Sequence, residues 1–211
     1  SYYQIIRISR TGDIVNRFFS YTEKRSYSDG APCIKAKANE FIISLGESIV
    51  GNFHPRGVVV VKLNAEFDTI WHYRHSDTTQ FDSPKAVFQD KKGYIYVAGA
   101  RNLYQGVDPD TFDGFLLILT ANGELVDFRT YDEGEREYFN SLIPCADGNY
   151  FFGGATNSFS GQPEGYLVKV DSLGNKLWSK NYPAFAEPYF SSFSNNKLIV
   201  SGYKQSALGR T

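Results

Sequence analysis

Three histidines and a guanidinium come first among the residues able to do chemistry: His54, Arg56, His72 and His75. Imidazole and guanidinium groups build metal and anion sites. Here no paired carboxylate lies beside them, His72 and His75 close an expected strand, and His54 belongs to a different loop. Solvated loop histidines are the expectation, with His54, Arg56 and His72 retained as contacts to a ligand. A second set is Asp108, Asp110 and Asp113, in Asp-Pro-Asp-Thr-Phe-Asp-Gly. Alternating carboxylates suit calcium, which takes several oxygens. The twelve-residue calcium-loop pattern is absent, however, and Pro109 restrains the backbone, so the expected structure is a turn whose carboxylates cap local N–H groups. Asp108 and Asp110 stay as ligand contacts. A third set, Asp132, Glu133, Glu135 and Glu137 around Arg136, is expected to be a solvated face. Loop aromatics complete the inventory. Phe81, Tyr138 and Tyr189 precede expected first strands and should plug gaps between repeat units, whereas Tyr104 and Phe159 fall in loop middles and suit stacking against a sugar or peptide. There is no nucleophile elbow, no phosphate-cradling glycine loop and no Cys/His metal spacing. The sequence therefore assigns no catalytic residue, and no metal or cofactor is expected.

These residues hang on a repeat. Gly46, Gly99, Gly154 and Gly202 occupy equivalent places about fifty residues apart, and a turn marker recurs at Gly12, Phe67, Gly123 and Gly174. Each unit reads as four short strands. The unit of residues 131–182 has strands at 139–146, 149–156, 165–171 and 175–182, punctuated by Asp147-Gly148 and Ser172-Leu173-Gly174. Such turns need a residue at φ > 0, which glycine supplies without a Cβ clash. Phe67 in place of glycine predicts a turn of different shape. No stretch keeps a 3.6-residue apolar period, so essentially no helix is expected.

Four-stranded units of this length predict an all-β fold, a β-propeller of antiparallel blades over residues 1–211. The blades fall at about 20–74, 75–130, 131–182, and 183–211 joined to 1–19. The last assignment gives four blades if N- and C-terminal strands share one blade; otherwise the chain is part of a larger ring. The turns inside each hairpin are tight and lie at one end. The loops at 47–56, 101–112, 157–164 and 203–211, and those between units at 20–30, 72–83, 132–138 and 183–188, are long. In an up-and-down blade both long sets leave from the same end, where function is expected.

Bulk properties narrow the partners. Basic and acidic side chains nearly cancel, 22 against 23, so no basic stripe awaits a phosphate backbone. No apolar run, 58–61 among them, approaches the roughly 20 residues that span a bilayer. Cys33 and Cys145 fall in the first strands of non-adjacent units and are expected as small buried side chains rather than a disulfide, which needs Cα atoms within about 7 Å.

Residues 131–182 carry a recognisable pattern: Asp147-Gly148, Gly153-Gly154-Ala155-Thr156, Ser158 and Ser160, then Tyr166 to Trp178. It resembles repeats of large secreted proteins of the Bacteroidetes, with a Gly-Gly-x-Thr, a serine-rich loop and a YLVKLDxxGxxxW strand pair. The strand pair is also similar to that of pyrroloquinoline-quinone-type propellers and the outer-membrane assembly lipoprotein built on them. In those, a Trp wedges between blades; here only Trp71 and Trp178 hold that place, with Asp127 and Asn16 in the other copies. The resemblance implies an extracellular or cell-surface location, with the periplasm as the alternative. The expected function is a non-catalytic binding or scaffold propeller engaging a glycan, peptide or protein on its long-loop face, monomeric if the ring closes. Two alternatives stand: a glycan-processing hydrolase or lyase using Asp108, Asp110, Glu135 and Glu137, and a structural segment of a long adhesin.

Overall fold

In the computed structural model the chain is all-β, with four-stranded antiparallel sheets in series. The structure describes residues 2–21, 32–48, 55–76, 80–102, 112–183, 185, 189–194 and 197–201. A hairpin comes first, β1 (Tyr2–Ile8) and β2 (Ile14–Tyr21). Unit 1 follows as β3 (Cys33–Lys35), β4 (Phe41–Ser48), β5 (Pro55–Leu63) and β6 (Thr69–Ser76). Unit 2 is β7 (Phe81–Gln89), β8 (Ile95–Asn102), β9 (Phe112–Leu119) and β10 (Leu125–Tyr131). Unit 3 is β11 (Glu137–Pro144), β12 (Tyr150–Thr156), β13 (Glu164–Val170) and β14 (Lys176–Tyr182). A second hairpin, β15 (Tyr189–Ser194) and β16 (Lys197–Ser201), comes last. Within each unit every strand pairs with its sequence neighbour, an up-and-down meander. The only helical turn among the described residues is Lys37–Asn39.

The middle strands are buried along their whole length because the sheets stack face on face. Period-2 alternation sends Ile42, Val58 and Val60 of unit 1 against Val87, Val97, Phe115 and Leu117 of unit 2. The intervening positions, Ile43, Leu45, Val61 and Leu63, form a separate cluster on the opposite face. Tyr96, Leu116 and Ile118 of unit 2 likewise meet Phe139, Phe152 and Tyr166 of unit 3. Leu198 and Val200 of β16 pack on Ile143, Phe151 and Leu167, which places the last hairpin against unit 3. The outer strand β14 is largely exposed, with Trp178 at 37%.

One turn recurs in the first hairpin and at the third-to-fourth hairpin of units 1, 2 and 3. Its two backbone bonds run Ser9 N to Asp13 O with Gly12 N to Ser9 O, and repeat at Asn64/Asp68/Phe67, Thr120/Glu124/Gly123 and Asp171/Asn175/Gly174. The first residue's side chain accepts the following N–H groups, as Asn64 Oδ1 does from Glu66 and Asp68, and Asp171 Oδ1 from Leu173 and Asn175. Phe67 keeps this turn, contrary to the sequence expectation: it takes φ 71°, beside 82° at Gly123 and 81° at Gly174. Its ring is buried and meets Phe41 edge-on at 5.3 Å, and that burial offsets the cost of the left-handed backbone.

The units are fastened by one repeated contact. The second carbonyl of this turn accepts a side-chain donor from the hairpin or unit before it, though from a different strand each time: Arg7 Nη1 of β1 to Ala65 O (3.1 Å), Trp71 Nε1 of β6 to Ala121 O (3.2 Å) and Tyr96 Oη of β8 to Ser172 O (3.2 Å). The Trp71 ring lies so close over Gly123 that a Cβ there would come within 2.7 Å of it. The same place in the first hairpin, around Gly12, is open: a Cβ there meets nothing within 4 Å.

Gly99 and Gly154 answer a different need. At each, the opposing first strand carries a bulge, between Pro84 and Ala86 and between Phe139 and Ser141. The bulge drives a carbonyl inward, so a Cβ on Gly154 would stand 1.7 Å from Tyr138 O, and one on Gly99 2.0 Å from Ser83 O. The glycine repeat is thus a packing requirement of the inner hairpin.

Both cysteines are free; Cys145 is half-buried, but Cys33 is exposed rather than buried, because β3 is a three-residue strand.

Candidate functional site

The buried acids, Glu47, Asp82, Asp113, Glu137 and Glu164, gather at the long-loop end. The segments 132–136 and 157–163 leave from the same end and are bonded together: Asn157 N donates to Arg136 O (2.9 Å), and Glu135 N donates to Ser158 Oγ (2.9 Å). Four paired groups lie beneath. Glu47 takes a forked contact from Arg74, 2.6 Å to Nε and 3.0 Å to Nη2. Asp82, fully buried, pairs with Arg101 at 3.1 Å, and the Arg101 guanidinium also lies 4.6 Å from the Phe128 ring centroid. Glu164 accepts from Asn181 Nδ2. Glu137, also fully buried, accepts from Thr156 Oγ1 (2.7 Å), Ser158 Oγ and Glu133 N (3.0 Å).

Asp82 and Glu137 hold the same place, opening the first strand of successive units and facing the end of the second, at Arg101 and Thr156. Charged side chains thus close the ends of the inner strands just under the loops. Burial is offset at Glu137 by three hydrogen-bond donors and at Asp82 by the cation of Arg101.

Between units 2 and 3 three carboxylates converge. One oxygen each from Asp113, Asp132 and Glu137 lies within 4.8 Å of the other two. Burial, together with the charges of Asp132 and Glu137 and against the pull of Arg101, raises the Asp113 carboxyl to about 6. Glu133 behaves oppositely. Burial works against its charge, but bonds from Lys176 (2.8 Å), Tyr166 Oη and Ser179 Oγ (3.1 Å) hold it below the usual range.

The run 132–137 is therefore no solvated face. Glu137 and Glu133 are internal anchors, and Asp132 and Glu135 remain exposed. Sequence proximity hid this, because Glu137 is satisfied by residues about twenty positions away, on another strand and loop.

The histidine set does not form. Strand β6 continues to Ser76, so His72 and His75 lie within a strand rather than beyond its end. Three residues of separation put them on opposite faces. His72 is exposed, opposite Val61, and His75 stacks on Phe128 at 4.0 Å. Arg56 belongs to β5, a strand position rather than a loop one. Phe159 does stand on the 157–163 loop with its ring 51% exposed, 6.4 Å from Tyr166. His54, Tyr104, Asp108 and Asp110 lie outside the described residues. Of the ring plugs, Tyr138 lies inside β11 rather than before it, with Arg136 over its face at 5.9 Å.

A cavity of about 310 Å³ opens at the opposite, tight-turn end, between units 1 and 2, lined by Ile34, Lys35, Lys37, Phe88 and Asp90 among others. It is remote from the carboxylates. No protein-family model matches this chain, and a search of curated proteins finds no match.

Proposed function

We propose that the chain is a four-bladed β-propeller that serves as a non-catalytic binding scaffold at the cell surface or envelope, holding a glycan, peptide or protein on its long-loop face. Units 1, 2 and 3 are three blades, and β15, β16, β1 and β2 complete the fourth. The observation that carries the ring is the repeated fastening of these turns by a side chain of the hairpin or unit before them. Its one missing instance joins two features that fit: Trp178, equivalent to Trp71, is exposed, and the Ser9–Gly12 turn, equivalent to 120–123, is open. Closure seats the Trp178 ring on Gly12 with its N–H directed to the Arg10 carbonyl.

The carboxylates favour binding over hydrolysis. Three of them converge closely enough for a glycosidase pair. But Glu137 is fully buried and held in place by bonds from Thr156, Ser158 and Glu133 N, so no glycan reaches it. An acid or base must touch the group it protonates. The surface location rests on the resemblance of residues 131–182 to secreted repeats.

The test is a glycan and peptide array probed with the whole chain and with Phe159→Ala. The reading expects saturable capture that falls at least tenfold in the variant, with unchanged melting, since the ring is exposed. Bond cleavage of a captured glycan overturns it in favour of the hydrolase, and absence of any capture favours the adhesin segment.

A further inference from the structure

Asp113 is a chemical anomaly within the long-loop end. It is the second residue of β9, is 6% exposed, and among the described residues neither of its oxygens takes a hydrogen bond or an ion pair. The other buried acids there each have a partner: Glu47 and Asp82 pair with the cations of Arg74 and Arg101, Glu137 accepts from Thr156 and Ser158, and Glu164 accepts from Asn181. Arg101 faces Asp113 across the β8–β9 pair but is engaged with Asp82 and the Phe128 ring. Arg136 lies over the rings of Phe112 and Tyr138. A buried carboxylate without donors is costly and calls for a compensating positive charge. It is directed at two further carboxylates, Asp132 and Glu137, all three offering an oxygen within 4.8 Å of one another.

We infer that Asp113, Asp132 and Glu137 form a binding site for a hard divalent cation, Ca²⁺ in preference to Mg²⁺, at the seam between units 2 and 3. The donors are all carboxylate oxygens, with no imidazole or thiolate among them, which selects hard cations over zinc or copper. Ligand number and geometry separate the two hard ions: Mg²⁺ demands near-ideal octahedra and is usually held by one or two carboxylates plus its own waters, whereas Ca²⁺ accepts an irregular set of three protein carboxylates such as this one. Asp132 is exposed, giving the ion a route from solvent. Glu137 keeps its bonds to Thr156 and Ser158 while offering a lone pair, as ligating carboxylates commonly do. Because the ligands come from both sides of a seam, the ion fastens unit 2 to unit 3 beside the paired loops 132–136 and 157–163. The site stands apart from the ring-closure reading, since both units are complete within the chain.

The experiment is thermal melting and calorimetric titration of the full chain with CaCl₂, after chelation, alongside Asp113→Asn and Asp132→Asn. Wild type should bind one Ca²⁺ and melt about 5–10 °C higher at a free concentration a hundredfold above Kd. Mg²⁺ should give a smaller shift. Both variants should keep the wild-type circular dichroism spectrum and lose the Ca²⁺ response, and Asp113→Asn in chelator should melt no lower than wild type because an unpaired charge is gone. No response to millimolar Ca²⁺ overturns the site. So does an unchanged response in both variants, which would place the ion elsewhere.

Discussion

Replacing Trp71 and Trp178 separately by alanine measures the inter-unit fastening and its proposed fourth instance. Trp71 is half-buried, packs beside the cluster shared by units 1 and 2, covers Gly123 and donates to Ala121 O at 3.2 Å. Removing a buried Trp costs about 3–5 kcal/mol. Half-burial reduces that to about 2 kcal/mol, and the lost hydrogen bond restores about 1 kcal/mol, for a total near 3 kcal/mol. Within its own unit Trp178 meets one other ring, Phe151 at 5.5 Å, with the Lys180 ammonium 5.7 Å from its own centroid, and it is exposed on its outer side. That contact alone is worth about 1 kcal/mol. If the Ser9–Gly12 turn seats on Trp178, the second cost rises to match the first. The assay is equilibrium urea unfolding of both variants at equal protein concentration, with the slope checked against wild type. Equal losses near 3 kcal/mol support closure. A loss of about 1 kcal/mol at Trp178 beside about 3 kcal/mol at Trp71 refutes the reasoning.

Two further outcomes follow from the same structure. Gly154→Ala should cost more than about 3 kcal/mol or prevent folding, because its Cβ meets the Tyr138 carbonyl at 1.7 Å and backbone cannot yield as a side chain does; Gly161→Ala, in open space at φ 71°, should cost about 1 kcal/mol by the same denaturation assay. The hydrogen bond from Lys169, at 2.7 Å, holds the Asp147 carboxyl down at about 2, aided by Asn149 N. A depressed carboxyl stabilises the fold above its ordinary range and loses that contribution as pH falls from about 4 through 2. The stability effect is small because Asp147 is half-exposed, so the check is its carboxyl titration by NMR, which Lys169→Ala should return toward the ordinary value.

The hairpin turns were legible because φ > 0 leaves a compositional mark, as at Gly123 and Gly174. Phe67 broke the rule, since a buried ring can offset a left-handed backbone and no local signal announces that burial. The glycine repeat was legible, but its cause was not: the bulged carbonyls of Ser83 and Tyr138 belong to a neighbouring strand. The charged site was misread for the same reason. Glu137 sits in a run of acids that looks solvated, and only the pairing of β11 with β12 brings Thr156 to it. The histidines misled because a strand end was placed too early, and a strand that continues to Ser76 turns His72 and His75 apart.

The ring is the central claim, and solution mass with small-angle scattering tests it most directly. A closed four-bladed ring predicts a monomer with a radius of gyration near 17 Å, the value for a compact chain of this length. A dimer, or a monomer whose radius exceeds about 20 Å, would contradict closure and leave the two terminal hairpins as parts of separate blades.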